Sequence, residues 1–235
     1  MHKKKYNTLV MIPVFNEGQN IKLVVDDLRL NYAEGDVIVI NDGSIDNTLD
    51  VLRRWQIPTL NHEFNLGIGA SFQTGCLFAL EKGYDYLVRI DGDGQHNAKF
   101  ISHLLAPVKN NQADIVVGSR FLNNRAFASS FYRLLGISAI SWFLTAITGK
   151  KITDPTSGFC AMNRKAYEFF SKTCAEDYPE PEIVLCQRSF TIKEVPIVMT
   201  KRQNGSSSIT PLKSVYYMYK VLLSLFMSIF RKERI

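Results

Sequence analysis

The chain has 235 residues, of which 46% are hydrophobic and 11% are aromatic, so it can form a large core and is not intrinsically disordered. The formal net charge of +6 at pH 7 favours anionic partners such as phosphates and acidic lipids. We expect no nucleic-acid partner, since the sequence contains no recognised nucleic-acid-binding motif. The spacing of the four cysteines matches neither a zinc site nor a redox pair, which predicts free thiols and a reducing cytosol.

In the first half of the chain, short β-rich runs alternate with segments of helical pattern. The predicted strands are Thr8–Ile12, Val37–Ile40, Tyr86–Ile90 and Ile115–Gly118. The predicted helices between them are Ile21–Leu30, Leu49–Trp55, Ala70–Lys82 and Phe100–Lys109. This alternation predicts an α/β fold with a mainly parallel sheet that is covered by helices on both faces.

The second half of the chain contains two long apolar segments. Ala126–Thr148 and Pro211–Phe230 are predicted to be helices, Thr191–Thr200 a strand, and Asp154–Asn163 a loop or a short strand. We expect one main domain over residues 1–210, which includes an interfacial helix at about 126–149. A C-terminal membrane-associating helix is expected over residues 211–235.

Neither apolar segment has the roughly 20 uninterrupted apolar residues of a membrane span. Lys220 interrupts the last segment, whose start is rich in tyrosine and whose end carries Arg231 and Lys232. These features are typical of an amphipathic helix that lies in the lipid interface. We therefore expect a peripheral or monotopic protein at the cytoplasmic face of the cell membrane. The alternatives are core packing, a homo-oligomer interface or a small membrane partner protein.

Asp91 and Asp93, in the sequence Ile-Asp-Gly-Asp-Gly-Gln-His, directly follow the predicted strand Tyr86–Ile90. Two carboxylates this close repel each other unless a cation lies beside them. Mg²⁺ or Mn²⁺ that joins them to a diphosphate would relieve the repulsion and stabilise charge on a leaving group. Gln95 is a candidate to orient a metal-bound water. The alternative is a solvated acidic turn.

Polar clusters also follow the first two strands, at the sheet edge where α/β proteins bind ligands. Pro13 fixes the backbone as the chain leaves the sheet, Phe15 could pack beside a nucleobase, and Glu17 could accept a hydrogen bond from base or ribose. A plain strand-to-helix turn is the alternative. Asp42 could accept from a ring N–H of uracil or guanine, and an Asx-turn explains it equally well. The two glycines after Asn65 could approach a pyrophosphate or simply open a helix.

Six blocks in order resemble the glycosyltransferases of family 2, namely IPVFNE, NDGS, NLGIGA, DGDGQH, GSRF and DPTSGF. Within that family the chain is most similar to the polyprenyl-phosphate sugar synthases, such as the dolichol-phosphate-mannose synthases and the bacterial undecaprenyl-phosphate glycosyltransferases. The resemblance extends from about residue 8 to about residue 208. It implies the GT-A fold and a metal-dependent, inverting transfer from a nucleotide-diphosphate sugar to a polyprenyl phosphate, in the assembly of cell-wall or surface polysaccharide.

The resemblance also implies roles for individual residues. The nucleotide pocket would be lined by Pro13, Phe15, Glu17 and Asp42, and the metal would be held by Asp91 and Asp93 with Gln95 beside it. Arg120 would lie near the donor and acceptor phosphates, Arg133 would meet the lipid phosphate, and Arg202 would belong to a loop that closes over the donor. Asn65 replaces a lysine that is common in mannose synthases, which favours UDP-glucose or UDP-N-acetylglucosamine over GDP-mannose.

The role expected for the acidic segment Glu176–Glu182 depends on which acceptor the enzyme uses. A sugar hydroxyl needs a general base, which a carboxylate such as Glu180 would supply. A phosphate monoester has a second pKa near ~6 and is already anionic at neutral pH, so it needs only positioning and forked arginine donors. Glu180 or Glu182 would then orient the donor sugar. We expect a polyprenyl phosphate acceptor, with a sugar hydroxyl of a lipid-linked polysaccharide as the alternative and a non-catalytic nucleotide-sugar-binding membrane adaptor as the second alternative.

Overall fold

The computed structural model describes residues 5–122, 131–149, 151–173 and 189–200. The strands are β1 (Thr8–Val14), β2 (Asp36–Asp42), β3 (Thr59–His62), β4 (Tyr86–Arg89), β5 (Ile115–Ser119), β6 (Cys160–Asn163) and β7 (Ile192–Pro196). The helices are α1 (Ile21–Asn31), α2 (Thr48–Arg54), α3 (Ile68–Lys82), α4 (Ile101–Lys109), α5 (Phe131–Thr148) and α6 (Arg164–Thr173). A short 3₁₀ turn over Ala98–Phe100 leads into α4.

These residues form a seven-stranded sheet in the order β3-β2-β1-β4-β6-β5-β7. Strands β1 to β4 run parallel, and β5 pairs with β7 in parallel. Strand β6 lies between β4 and β5 and is antiparallel to both. The predicted mainly parallel α/β fold is therefore confirmed, and the segment predicted as a loop or a short strand provides the antiparallel member.

Strand β1 is buried along its whole length because helices cover both faces of the sheet. Val10 and Ile12 belong to a core that they share with apolar residues of α1 and α4. Leu9 and Met11 point to the opposite face and share a second core with residues of α3 and α6. This explains why the β1 sequence is a continuous apolar run rather than an alternating one.

One strand boundary predicted from the sequence was wrong, and one strand was not predicted at all. Strand β1 does not end at Ile12 but continues through Pro13, which pairs with Ile40 of β2, to Val14. Proline is tolerated there because the pairing of β1 with β4 stops at Met11, so the missing N–H falls on the unpaired side. Strand β3 was not predicted, since it has only four residues, lies at the edge of the sheet and buries none of them fully.

The predicted helix over Ala126–Thr148 is observed as α5 from Phe131 onward, and Pro211–Phe230 lies outside the described residues. Within the described ranges, we find no helix with the length and apolar character needed to cross a membrane. Cys76 and Cys160 are buried free thiols, as predicted.

Candidate active site

The loops that follow β1 and β2 are tied together at the carboxyl edge of the sheet. The side-chain oxygen of Asn16 accepts from the backbone N–H of Ile45 at 2.9 Å, and Ser44 Oγ accepts from the N–H of Asn16 at 3.0 Å. The N–H of Glu17 donates to Thr48 Oγ1 at 2.9 Å. The structure therefore brings together two of the clusters that the sequence placed at one edge.

Phe15 and Glu17 lie on the loop after β1, Asn65 lies on the loop after β3, and Pro13 is buried inside β1. Phe15 is 39% exposed, which leaves its ring accessible at the edge. Glu17 is half-buried and its Oε2 accepts from the Asn20 amide at 2.7 Å. Asn65 is exposed, and its side-chain oxygen accepts from the N–H of Gly67 at 3.1 Å.

Asp42 is buried at the end of β2, and its carboxylate contacts the loop that follows β3. Its Oδ1 accepts from the N–H of Leu66 at 3.0 Å and lies 2.7 Å from His62 Nδ1, and its Oδ2 accepts from the N–H of Gly67 at 2.9 Å. These partners are 20 or more residues away, so the contacts are not a local Asx-turn. A contact of Asp42 with a nucleobase stays a prediction.

The loop after β4, residues 90–97, carries the two predicted metal ligands, and we call it the acidic loop. Two hydrogen bonds within the loop, each from a backbone N–H to a side chain, define its conformation. The N–H of Gln95 donates to Asp93 Oδ1 at 3.0 Å, and the N–H of Asp91 donates to His96 Nδ1 at 3.3 Å. The His96 ring is buried and stacks on Phe159 with ring centroids 4.9 Å apart. Both carboxylates thus lie on one tight turn.

Opposing effects act on the ionisation of this loop. Burial alone would raise the pKa of Asp91, but the neighbouring positive charge, foremost that of Arg89, outweighs it and lowers that pKa. Arg89 Nη2 lies 3.4 Å from Asp91 Oδ1. Burial, together with the positive charges of Arg120 and Arg89, lowers the pKa of His96, although the carboxylates of Asp91 and Asp93 act to raise it. At neutral pH the loop therefore presents an anionic Asp91 beside a neutral imidazole whose Nδ1 accepts a hydrogen bond.

Gly158 leaves the space in which Asp91 and Arg89 meet. A Cβ atom at this position would lie 2.7 Å from Asp91 Oδ1, which is too close for the carboxylate to stay in place, and 3.0 Å from Arg89 Nη2, which is a tight contact. The glycine belongs to the DPTSGF block, for which the sequence offered no chemical role. Its function here is to let β6 and the acidic loop approach each other.

The two carboxylates fit a hard divalent cation. Asp91 keeps 35% of its side chain exposed, and Asp93 is half-buried, so both can reach a ligand. Over residues 5–122, 131–149, 151–173 and 189–200, no cluster of three or more His, Cys, Asp or Glu residues could hold a metal ion. A pair of carboxylates suits Mg²⁺ or Mn²⁺, which is usually bound by one or two carboxylates together with substrate phosphates and water.

Arg120 lies at the end of β5 in a buried ion pair with Asp154. Its Nε and Nη2 donate to the two oxygens of Asp154 at 2.6 Å each, and Nη2 also donates to Thr156 Oγ1 at 2.8 Å. The positive charge of Arg120 also contributes to lowering the pKa of Asp91, after the larger effects of Arg89 and His96. A direct contact of Arg120 with substrate phosphates stays a prediction.

Glu194 of β7 accepts hydrogen bonds from the backbone of Asp154 and of the preceding residue, Thr153. The two oxygens of Glu194 accept from the N–H groups of Thr153 and Asp154 and from the Thr153 hydroxyl at 2.9–3.1 Å. Burial raises the pKa of Glu194. Sequence reasoning missed these partners because they come from segments that are 34 to 41 residues apart in the chain.

The remaining predicted residues lie at or beyond the limits of the described chain. Arg133 belongs to the first turn of α5, and Glu180 and Arg202 lie outside the described residues. The segment that precedes Arg202 is anchored on the acidic loop. The Thr200 N–H donates to the carbonyl of Gln95 at 2.9 Å, and its hydroxyl donates to the carbonyl of Gly94 at 3.0 Å.

Two curated relatives span almost the whole chain. The UDP-N-acetylglucosamine–dolichyl-phosphate N-acetylglucosaminyltransferase of Methanococcus voltae is 28% identical over 230 residues, which cover 90% of this chain and 87% of that protein. The polyprenol monophosphomannose synthase of Mycolicibacterium smegmatis is 29% identical over 226 residues, which cover 91% and 85%. Both relatives transfer sugars to polyprenyl phosphates, as their names state.

A solved structure supports the fold. The glucosyl-3-phosphoglycerate synthase of Mycobacterium tuberculosis, in complex with Mn²⁺, UDP and phosphoglyceric acid, superposes with a TM-score of 0.65 at 18% identity, over 92% of this chain and 77% of that one. The protein thus has the GT-A fold that the sequence predicted. The family model described as glycosyl transferase family 2 matches residues 9–170. The chain belongs to this family and is a glycosyltransferase.

Proposed function

We propose that the protein transfers a sugar from UDP-N-acetylglucosamine or UDP-glucose to a polyprenyl phosphate, such as undecaprenyl phosphate, at the cytoplasmic face of the membrane. The observation that carries the proposal is the pairing of Asp91 and Asp93 on one turn at the carboxyl edge of a mainly parallel sheet, next to the end of β1. The named acceptors of the two relatives support the acceptor class. The UDP donor is supported by the relative from M. voltae and by Asn65 at the position of the mannose-synthase lysine.

Asp91 and Asp93 would hold Mg²⁺ or Mn²⁺ against the diphosphate of the donor, where the metal supplies positive charge for the leaving nucleotide. The neighbouring residues prepare that site before substrate arrives. The lowered pKa of Asp91 keeps its carboxylate ionised at neutral pH, and the acidic loop holds Asp93 through the N–H of Gln95. Such preorganised charge needs no rearrangement at the moment of reaction.

A phosphate acceptor simplifies the remaining chemistry. Its oxygen is already anionic near neutral pH, so attack on the anomeric carbon with inversion needs no proton removal by the enzyme. The difficulty is the approach of an anion to an anionic donor, which cationic side chains offset. Arg120, whose positive charge contributes to lowering the pKa of Asp91, is one candidate for this role, and Arg133 and Arg202 are the further candidates from the sequence.

Helix α5 is our candidate for contact with the lipid interface. Ile137, Ile140 and Leu144 are buried against the domain, whereas Trp142 is 72% exposed. Tryptophan is enriched at membrane interfaces, where one part of the ring meets apolar chains and the N–H meets water. A second copy of the chain or a small membrane protein on this face is the alternative.

The test incubates the purified full chain with Mg²⁺ or Mn²⁺, a polyprenyl phosphate and labelled UDP-N-acetylglucosamine, UDP-glucose or GDP-mannose in turn. Label that enters a lipid and is released by mild acid, as expected for a sugar phosphodiester, supports the proposal. Transfer from GDP-mannose alone would contradict the UDP donor. Label that enters only a glycan hydroxyl, in a product stable to mild acid, would show that the acceptor is a sugar and not a phosphate.

A further inference from the structure

Both oxygens of the Asp42 carboxylate contact protein groups. The carboxylate accepts from the N–H groups of Leu66 and Gly67, which are adjacent in the loop after β3, and it contacts His62 Nδ1 at 2.7 Å. Asp42 is only 4% exposed, so these contacts lie away from bulk water. Hydrogen bonds to a charged acceptor are stronger than neutral ones. The carboxylate therefore holds the loop after β3 onto the end of β2.

His62 extends this contact to helix α3. An ionised carboxylate only accepts, so Nδ1 of His62 carries the hydrogen that Asp42 Oδ1 receives. The other ring nitrogen, Nε2, lies 2.9 Å from the hydroxyl of Thr74 in the second turn of α3. Asp42, His62 and Thr74 thus connect the ends of two strands to a helix, and we call this set the Asp42 clamp.

Gly43 allows the same loop to pack closely against the end of β2. A Cβ atom at this glycine would lie 2.5 Å from the carbonyl carbon of Phe64 and 2.7 Å from the backbone nitrogen of Asn65, so the two backbones touch. Its φ of +65° also favours glycine. The backbone of the loop over residues 63–67 is therefore bonded to Asp42 and packed against Gly43, although Phe64 and Leu66 are 73% and 58% exposed.

We propose that the Asp42 clamp is a positioning device that fixes the loop over residues 63–67 as one wall of the donor-nucleotide pocket. His62 and Thr74 are then positioning residues that set the affinity for the donor without touching it. The loop lies at the same sheet edge as the Phe15–Glu17 and Asp42–Ser44 segments. A loop that is already ordered avoids the entropy loss that a free loop would suffer on binding. This inference rests on the proposed use of a nucleotide sugar.

The test compares Thr74→Val, which removes the hydroxyl at constant shape, with Thr74→Ser, which keeps it. His62→Ala is the second variant, and His103→Ala, an exposed histidine on α4, is the matched control. Hydrogen–deuterium exchange of the substrate-free full chain reports on the loop. We expect faster exchange over residues 63–67 in Thr74→Val and His62→Ala, and parental exchange in Thr74→Ser and His103→Ala.

Steady-state kinetics and calorimetric titration with UDP report on the pocket. Loss of one hydrogen bond to this network should raise the donor KM and the UDP Kd about five- to tenfold, while kcat and the acceptor KM change less than twofold. Parental exchange and parental UDP affinity in Thr74→Val and His62→Ala would overturn the clamp. Exchange that rises across the whole chain would show a general structural role instead. If the parent chain binds UDP but transfers no sugar to a polyprenyl phosphate, the proposed acceptor is wrong. The exchange and UDP-binding measurements then still decide whether the Asp42 clamp orders the loop.

Discussion

The two halves of the candidate site are built by different interactions. The loops after β1, β2 and β3 are joined mainly by hydrogen bonds between backbone N–H groups and single side chains such as Asn16, Asp42 and Asp46. The acidic loop and its neighbours are instead joined by charge, through Arg89, Asp91 and the Arg120–Asp154 pair. The first kind of contact fixes shape, which a nucleotide needs. The second concentrates positive and negative charge where a diphosphate would leave.

This difference predicts which measured quantity each half controls. Changes in the charged half should lower turnover, because electrostatic stabilisation acts mostly in the transition state. Changes in the hydrogen-bonded half should alter nucleotide affinity or loop order and leave turnover closer to the parent value. The following predictions test that division, from the largest expected effect to the smallest.

Asp91→Asn and Asp93→Asn should each lower kcat by about 10³-fold or more, because the carboxylate pair can no longer hold a divalent cation. Circular dichroism and the unfolding midpoint should stay near the parent values. Treatment of the parent with EDTA should give a similar loss that Mn²⁺ or Mg²⁺ restores. Asp50→Asn, at an exposed aspartate of α2, is the control and should be fully active. Full activity of Asp93→Asn would remove the acidic pair from the mechanism.

Arg120→Ala should destabilise the fold as well as inactivate the enzyme. Asp154 has no exposed surface and would be left as an uncompensated buried charge, which typically costs about 3–5 kcal/mol. Urea unfolding measures this loss, and Arg54→Ala, at an exposed position of α2, should change stability by less than about 0.5 kcal/mol. If Arg120→Ala keeps parental stability, the ion pair is not the main role of the arginine and its prediction as a phosphate ligand gains weight.

Gly158→Ala should reduce kcat by about 10- to 100-fold, because its new methyl group displaces the Asp91 carboxylate from its present position. UDP binding in the absence of metal should stay within twofold of the parent, since the hydrogen-bonded half is untouched. Calorimetry with and without Mn²⁺ separates the two effects. Equal losses of metal-free and metal-dependent UDP binding would show that Gly158 supports the whole site and not only its charged half.

The sequence predicted the elements whose burial is continuous and missed those that depend on tertiary contacts. Strands β1, β2 and β4 were found because their apolar runs are buried, whereas β3 at the sheet edge has no such signal. The acidic pair was found because two aspartates one residue apart are unusual at a strand end. The engagement of Arg120 by Asp154 could not be read from the sequence, since 34 residues separate them and an arginine suits either an ion pair or a phosphate.

The smallest effect on turnover is expected for substitution of Asp46, which links the loops after β1 and β2. Its Oδ2 accepts from the N–H of Gly18 at 3.2 Å, and its Oδ1 accepts from the N–H and hydroxyl of Thr48. Burial would raise the pKa of Asp46, but these hydrogen bonds, that of the Thr48 hydroxyl first, outweigh it and lower the pKa below the ordinary value. An acid whose pKa falls on folding contributes stability above its unfolded pKa of about 3.9, and this stability is lost as pH falls through the lower folded pKa.

The contribution of Asp46 should therefore be constant between pH 7 and pH 5 and disappear only in stronger acid. Carbon-13 NMR titration of the Asp46 carboxyl should give a midpoint below the ordinary value of about 3.9. Thr48→Val should move that midpoint upward, and Thr48→Ser, which keeps the hydroxyl, should leave it in place. Because Asp46 lies in the hydrogen-bonded half, kcat of Asp46→Asn at pH 7 should stay within about twofold of the parent. A large loss of turnover would mean that the contacts of Asp46 also affect the charged half of the site. The proposed division of the site into a half that controls nucleotide affinity and a half that controls turnover would then be wrong.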